Sequence, residues 1–330
     1  MRAPCPQETG RAMNVIIWGG TGSLPAALRA EDVRAKLIAS FDAARGRSFT
    51  TREEIERFVD TLPFANRGSY RGNTSCVELR DGHEPREFVV FDAGSGIRDF
   101  GRHIMHTVKG SCHFHVFISH LHWDYLQGFP FFMPAFIKGN CIDIYGCHQE
   151  IEAAFTRQQE PPFFPVPLSY MQASRRFTVL EPGRQYQVGG YRVMAIEQDH
   201  PGLSYGYSLE KDGKKIVYAT DAEHRELPDD ESGPLLDFCR NADLMLFDAQ
   251  YSLIDAIDTK ESWGHSSNMV GVEIAMRADV KHLCLFHNEP TQHDDMLDKT
   301  LQNARKYASQ YKDTSSLKIS LAYDGLDIIV

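Results

Sequence analysis

Five apolar segments of this chain each run directly into a residue that can bind a metal or orient a ligand. They are FVVF into Asp92, VFIS into His120, IVYAT into Asp221, LMLF into Asp248 and LCLF into His287. Short runs rich in β-branched and aromatic residues, closed by a polar residue, read as buried strands. Polar residues at the ends of buried strands meet at a rim, where loops gather them into a site. Five such endings with different connections between them point to a layered α/β fold with its chemistry along one edge.

The strands expected on this basis are 15–18, 75–79, 88–91, 114–119, 141–145, 191–196, 205–209, 215–219, 244–247, 283–286 and 318–321. Between 26 and 66 the pattern changes to helical periodicity, and Thr51 with Glu54 has the spacing of a capping box. This region reads as a helical insertion: solvated helices packed on the body, a cap over the site, or a dimer arm. A further helix is expected over 267–278. Of 330 residues, 42% are hydrophobic, enough for a full core in one large domain or two small ones. We read residues 1–12 as a disordered N-terminus and 13–330 as a single domain carrying the insertion.

The apolar runs are far shorter than the ~20 residues a membrane helix needs, and the N-terminus has no apolar signal region. The expected location is the cytoplasm. Seven cysteines, odd in number and without a CxxC pair, suggest neither a disulfide framework nor a zinc ribbon. A net charge of −10 disfavours a protein that grips large nucleic acid through its phosphates.

The sharpest element is SHLHWDYLQG, which places His120, His122 and Asp124 within five positions. In a tight loop, two imidazoles at this spacing reach one metal while the carboxylate turns toward a second, and the residue types suit zinc, manganese or iron. The GxG of GGTGSLP lacks the third glycine of a dinucleotide fingerprint, with Pro25 in its place, so it reads as a tight turn. GFPFFMPAF offers either an aromatic wall for a substrate or simple core packing.

These motifs, with GNTSC at 72–76, FDAGSG at 91–96, DHPGLSYGY at 199–207, YATDAEH at 218–224, WGHSS at 263–267 and LFHNEP at 285–290, resemble the metallo-β-lactamase superfamily. The likeness is to its branch of phosphodiesterases and RNase Z-like or PhnP-like proteins, and it spans nearly the whole chain. It implies a four-layer αβ/βα sandwich and a soluble enzyme that often pairs as a homodimer. It assigns His120, His122 and His200 to a first metal, Asp124 and His287 to a second, and Asp221 to a bridge between them. Asp92 would brace the HxHxD loop from behind, and Asp248 would orient His265 or a metal ligand. His265 of WGHSS stands where this branch presents a histidine near the leaving oxygen; the competing reading is a structural histidine at the start of the next helix.

One departure matters. The family's HxHxDH loop supplies another histidine where this chain has Tyr125. Phenol, with a pKa near ~10, is a poor ligand, so three readings stay open: two metals with Tyr125 uncoordinated, one metal, or a degenerate centre that binds or senses without turnover. His224 is a candidate replacement ligand, against an exposed histidine. Ser204 and Tyr205 are candidate substrate contacts, against plain alternation along a strand.

The implied function is hydrolysis, dependent on Asp124 and His265, with one or two Zn2+ (or Mn2+ or Fe). The nucleophile would be metal-bound hydroxide, since a metal lowers the pKa of bound water to ~7. The expected substrate is a small phosphodiester such as a cyclic nucleotide. A carbon ester, thioester or lactam is the alternative, because the same centre serves those reactions.

Overall fold

The structure is a computed structural model that describes residues 13–82, 86–224, 233–251, 264–311 and 317–330. The expected disordered segment 1–12 and Trp263 of the WGHSS motif lie outside the described residues. Two seven-stranded sheets face one another. The first has the order β14-β1-β2-β3-β4-β5-β6 and the second β13-β12-β11-β10-β9-β8-β7. In chain order the strands of the first are β1 (Asn14–Gly19), β2 (Cys76–Arg80), β3 (Glu87–Phe91), β4 (His113–Phe117), β5 (Cys141–Gly146), β6 (Ser174–Val179) and β14 (Asp327–Ile329). Those of the second are β7 (Gln185–Val188), β8 (Tyr191–Gln198), β9 (Ser204–Lys211), β10 (Lys214–Ala219), β11 (Leu244–Asp248), β12 (His282–Phe286) and β13 (Lys318–Leu321).

The two sheets are built alike. In the first, β3 to β6 run parallel and β14, β1 and β2 join antiparallel. In the second, β10 to β13 run parallel and β7, β8 and β9 join antiparallel. Parallel strands need crossovers, and helices supply them. On the first sheet these are α4 (Gly96–Thr107), the short α5 (Trp123–Leu126) and α6 (Ile151–Gln158). On the second they are α7 (Pro234–Cys239), α8 (Asn268–Arg277) and α9 (Asp294–Ala308). A core between the sheets, with Phe91, Phe117, Tyr207, Tyr218 and Phe286, lies between two outer cores beneath the helices. The result is the four-layer αβ/βα sandwich.

The insertion forms α1 (Ala30–Ala43), α2 (Arg52–Thr61) and α3 (Phe64–Arg67). Thr51 Oγ1 accepts from Glu54 N at 3.3 Å, and the Glu54 carboxylate accepts from Thr51 N at 3.3 Å, so the capping box forms. The insertion docks on the start of α9: Lys36 Nζ donates to Asp294 at 2.6 Å and to the Gly68 carbonyl at 2.8 Å. Among the described residues no helix is long and apolar enough to cross a membrane.

β3 and β4 run parallel to each other in the first sheet, as do β10, β11 and β12 in the second, and their C-terminal ends deliver Asp92, His120, Asp221, Asp248 and His287 to the same edge of the sandwich. Backbone strain collects there: Asp92, Asp221 and His287 all have positive φ, at 58°, 39° and 61°. For residues that are not glycine this costs about 1–3 kcal/mol each and marks functional sites.

Candidate metal centre

Two groups of donor atoms meet at this edge. One is His120, His122, His200 and Asp221; the other is Asp221, Asp248, His265 and His287, with the donor atoms of each group within 4.8 Å of one another. Asp221 belongs to both. Asp124 belongs to neither, yet its Oδ2 lies 3.4 Å from His287 Nε2. The sequence-predicted ligands are therefore brought together from β4, the loop after β8, and the ends of β10 and β12.

Two of the imidazoles are turned by a partner at the far nitrogen. His200 Nδ1 donates to the Gly264 carbonyl at 2.7 Å, leaving Nε2 to face His122 Nδ1 at 3.2 Å. His120 Nδ1 is 3.1 Å from Ser119 Oγ, and its Nε2 points inward, 3.5 Å from Asp221, buried and without a hydrogen bond. Such outer partners fix the tautomer of metal-binding histidines. Burial and the neighbouring His122 and His200 hold the His120 ring well below the usual histidine range. Burial and His200 likewise lower His122. Neutral rings whose free nitrogens converge on a carboxylate, one of them orphaned, are the donor set a divalent transition metal requires.

Asp92 stands behind this group. It is fully buried, and its Oδ1 accepts from Ser119 N at 2.8 Å while its Oδ2 accepts from the Tyr218 hydroxyl at 2.7 Å. Burial pushes its carboxyl up to about 8 against these hydrogen bonds. Asp92 thus holds the residue immediately before His120.

Tyr125 lies inside the cluster. It is fully buried, its ring centroid is 4.2 Å from that of His120, and it stacks at 5.8 Å on His287. Its hydroxyl donates to Asp221 Oδ1 and sits 2.9 Å from Thr220 Oγ1. Burial and the Asp221 charge raise the phenol well above its ordinary pKa, so it remains a donor. The tyrosine caps one oxygen of the carboxylate that both groups share.

His265 occupies the second group. Its Nδ1 is 2.8 Å from Asp248 Oδ2, and its ring stacks on His287 at 4.9 Å. Burial alone would lower its pKa, but the Asp248 and Asp221 carboxylates outweigh burial and raise it. For His287 the same balance, with Asp221, Asp124 and Asp248 against burial, gives about 9. Asp248 is fixed in turn by Ala222 N at 3.2 Å and Gln250 N at 3.1 Å. The helix after His265 is capped by Ser267, whose side chain accepts from Val270 N at 3.4 Å; His265 is not its cap.

Three expected residues are placed elsewhere. Ser204 is fully buried and donates to the Thr220 carbonyl at 3.3 Å, while Tyr205 packs in the intersheet core. His224 joins neither donor group. Its backbone N donates to Ser266 Oγ at 3.1 Å, which turns the ring onto Phe247 at 5.7 Å, and burial lowers its pKa to about 4. It is not an exposed histidine. In GFPFFMPAF, Phe129 and Phe132 are fully buried, but Phe131 stays about half exposed, at 52%.

The sequence reading also missed contacts from the N-terminal turn. Ser23 N donates to Asp124 Oδ2 at 3.0 Å, and a Cβ on Gly22 would come within 2.6 Å of the His287 ring. The signal was present in the glycines of GGTGS, whose second use is to let backbone approach closely. Thr74 Oγ1 also donates to the Asp124 carbonyl at 2.7 Å.

With this geometry in hand, comparison with known proteins is direct. Residues 88–288 match the family described as beta-lactamase superfamily domain, and the chain belongs to that family. It falls in the RNase Z-like branch of the metallo-β-lactamase superfamily, a class of metal-dependent hydrolases. It is 23% identical over 305 residues to a ribonuclease Z of Haloarcula marismortui, covering 77% of this chain and 90% of that protein. With a ribonuclease BN of Proteus mirabilis it shares 24% identity over 268 residues, covering 65% of this chain and 83% of that one. Among solved structures it superposes on the metallo-beta-lactamase fold protein YhfI of Bacillus subtilis with TM-score 0.62 at 17% identity, covering 97% of this chain and all (100%) of that one. Unliganded yeast PDE1 gives TM-score 0.65 at 13% identity over 97% of this chain and 100% of that one.

Proposed function

We propose that this protein is a metal-dependent phosphodiesterase acting on a small phosphodiester such as a cyclic nucleotide. The observation that carries the reading is the convergence of His120, His122, His200 and Asp221 on one point, with His265 in ring contact beside them at 5.3 Å from His200. His120, His122, His200 and Asp221 would hold a single ion, with zinc the best match to the donor set. Bound there, the metal would supply Lewis-acid activation of water and neutralise charge on the phosphate oxygens.

The remaining chemistry belongs to the chain. Tyr125 keeps Asp221 Oδ1 occupied and takes the place of the extra imidazole, which favours one ion over two. Asp248 holds His265 by Nδ1, leaving Nε2 to give a proton to the departing oxygen. The charge on Asp248 keeps that imidazole protonated, as a general acid must be. Asp124 is held by Ser23 N and faces His287 beside the second group. His122 is the exposed member of the first group, so substrate enters on its side. The net charge of −10 supports a compact substrate over long RNA, although the relatives are named ribonucleases.

The test is hydrolysis of bis(p-nitrophenyl) phosphate by protein reloaded with zinc or with manganese, beside p-nitrophenyl acetate and a precursor tRNA. Phosphodiester turnover that disappears in His200→Ala is the expected result. Cleavage of the carbon ester alone would reassign the chemistry, and cleavage of the tRNA alone would reassign the substrate.

A further inference from the structure

A second histidine pair lies at the opposite end of β4. His113 and His115 are two residues apart, so both rings leave the same face of the strand. Glu87 pairs with His113 across β3, and Asp143 pairs with His115 across β5. All four therefore share one face, at the N-terminal ends of three parallel strands. The hydrolytic cluster grows from the C-terminal ends, and His115 precedes His120 by five residues, about 16 Å of extended chain.

One donor atom from each of Glu87, His113 and His115 lies within 4.8 Å of the others, and the two rings are 4.1 Å apart. Each ring is also held from outside the trio. His113 Nε2 is 2.8 Å from Asp143 Oδ2, and His115 Nδ1 is 3.2 Å from the Tyr145 hydroxyl. His115 Nε2 meets Glu87 Oε1 at 2.7 Å. A carboxylate or hydroxyl on the far side of an imidazole is the arrangement that orients a metal ligand. Burial lowers the His115 pKa, which favours the neutral, ligating ring.

The local charge also suits a cation. Two carboxylates, Glu87 and Asp143, are opposed by one guanidinium, Arg176, bound to Asp143 at 3.0 and 2.8 Å. The nearby ammonium of Lys211 is paired with Asp81. A cavity of about 110 Å³ adjoins Glu87 and the Gly189–Gly190 turn, leaving room for an ion and its water.

We infer that Glu87, His113 and His115 form a second metal site, separate from the hydrolytic centre, for one divalent transition-metal ion. Two imidazoles and a carboxylate select zinc, nickel or copper(II) over magnesium or calcium. The ion would tie β3 to β4 at the base of the sandwich, adding to the His115–Glu87 pair that already joins them.

Zinc binding by the full chain, stripped of metal and then dialysed against zinc, tests this without reference to turnover. The His120→Ala/His200→Ala protein should retain one equivalent, and adding His115→Ala should remove it. In the otherwise native chain, Glu87→Gln preserves shape and should also lose one equivalent, while hydrolysis of bis(p-nitrophenyl) phosphate stays unchanged. No zinc on the double variant, or undiminished zinc after His115→Ala or Glu87→Gln, overturns the inference. Because the count is read with the hydrolytic ligands removed, its failure and that of the phosphodiesterase reading are distinguishable.

Discussion

Tyr125→Phe removes one oxygen from the centre of the site and leaves the buried ring in place. That oxygen donates to Asp221 Oδ1, and both groups are fully enclosed, at 0% and 2% exposure. A hydrogen bond to a charged group contributes about 1.5–3 kcal/mol. Asp221 Oδ1 keeps one donor, Thr220 Oγ1 at 2.9 Å, so the loss should fall near the lower end of that range. For the metal-free protein this means a melting temperature lower by about 2 °C. Zinc should reverse the sign of the change. With its oxygen uncapped, Asp221 becomes a better ligand, so Tyr125→Phe should gain more stability from saturating zinc than the native chain does. Tyr125→His goes further, placing an imidazole among Asp124, Asp221 and His287, and should raise the zinc content of the centre from one ion to two. Calorimetric melting with and without zinc, joined to metal analysis, reads both effects. Equal zinc content in native and Tyr125→His proteins, with no added zinc stabilisation in Tyr125→Phe, would refute the view that Tyr125 limits the centre.

His265→Ala should slow phosphodiesters with poor leaving groups by about 10²–10⁴-fold and bis(p-nitrophenyl) phosphate far less, because p-nitrophenolate leaves without a proton; steady-state rates across a leaving-group series check this. Gly22→Ala would drive a Cβ to 2.6 Å from the His287 ring and should cost about 1–3 kcal/mol by overpacking, together with turnover, in urea unfolding and activity assays. The Asp32 carboxyl is lowered from 3.8 to about 2 by the Arg29 amide and by Arg71, which it meets at 2.7 Å. Because its folded-state pKa is depressed, its stabilising contribution is complete above 3.8 and fades as pH falls toward 2. The melting temperature of Asp32→Asn should therefore lie below native at neutral pH, with the gap closing over that acidic window.

The strands that end in the site were legible because they are central: buried on both faces, they read as continuous apolar runs such as LMLF and LCLF. Three of the four sheet edges were not. β6 and β7 have half-exposed patterns and polar sequences, SRRFTV and QYQV, and β14 is only three residues, DII, too short an edge strand to carry a period. Helix α9 buries Leu297, Leu301, Ala304 and Ala308 at helical spacing, a period the strand-centred reading did not assign. In α4 the buried Ile97, Phe100, Gly101 and Ile104 include a glycine that masks the stripe. The ligand types could be read from SHLHWD and the strand ends, but not the state of Tyr125. Its hydroxyl reaches Asp221 across 96 positions of sequence, and Ser23 reaches Asp124 across 101. Contacts at such separations depend on how two sheets are stacked, which no local period encodes.

Hydrolysis of phosphodiesters by this cluster through a bound metal is tested by turnover of bis(p-nitrophenyl) phosphate, followed as zinc is added back to metal-free Glu87→Gln protein. There should be no turnover without metal, and a rise that saturates as one equivalent fills the His120, His122, His200 and Asp221 group. Turnover that survives metal removal, or none at any zinc loading, would contradict it.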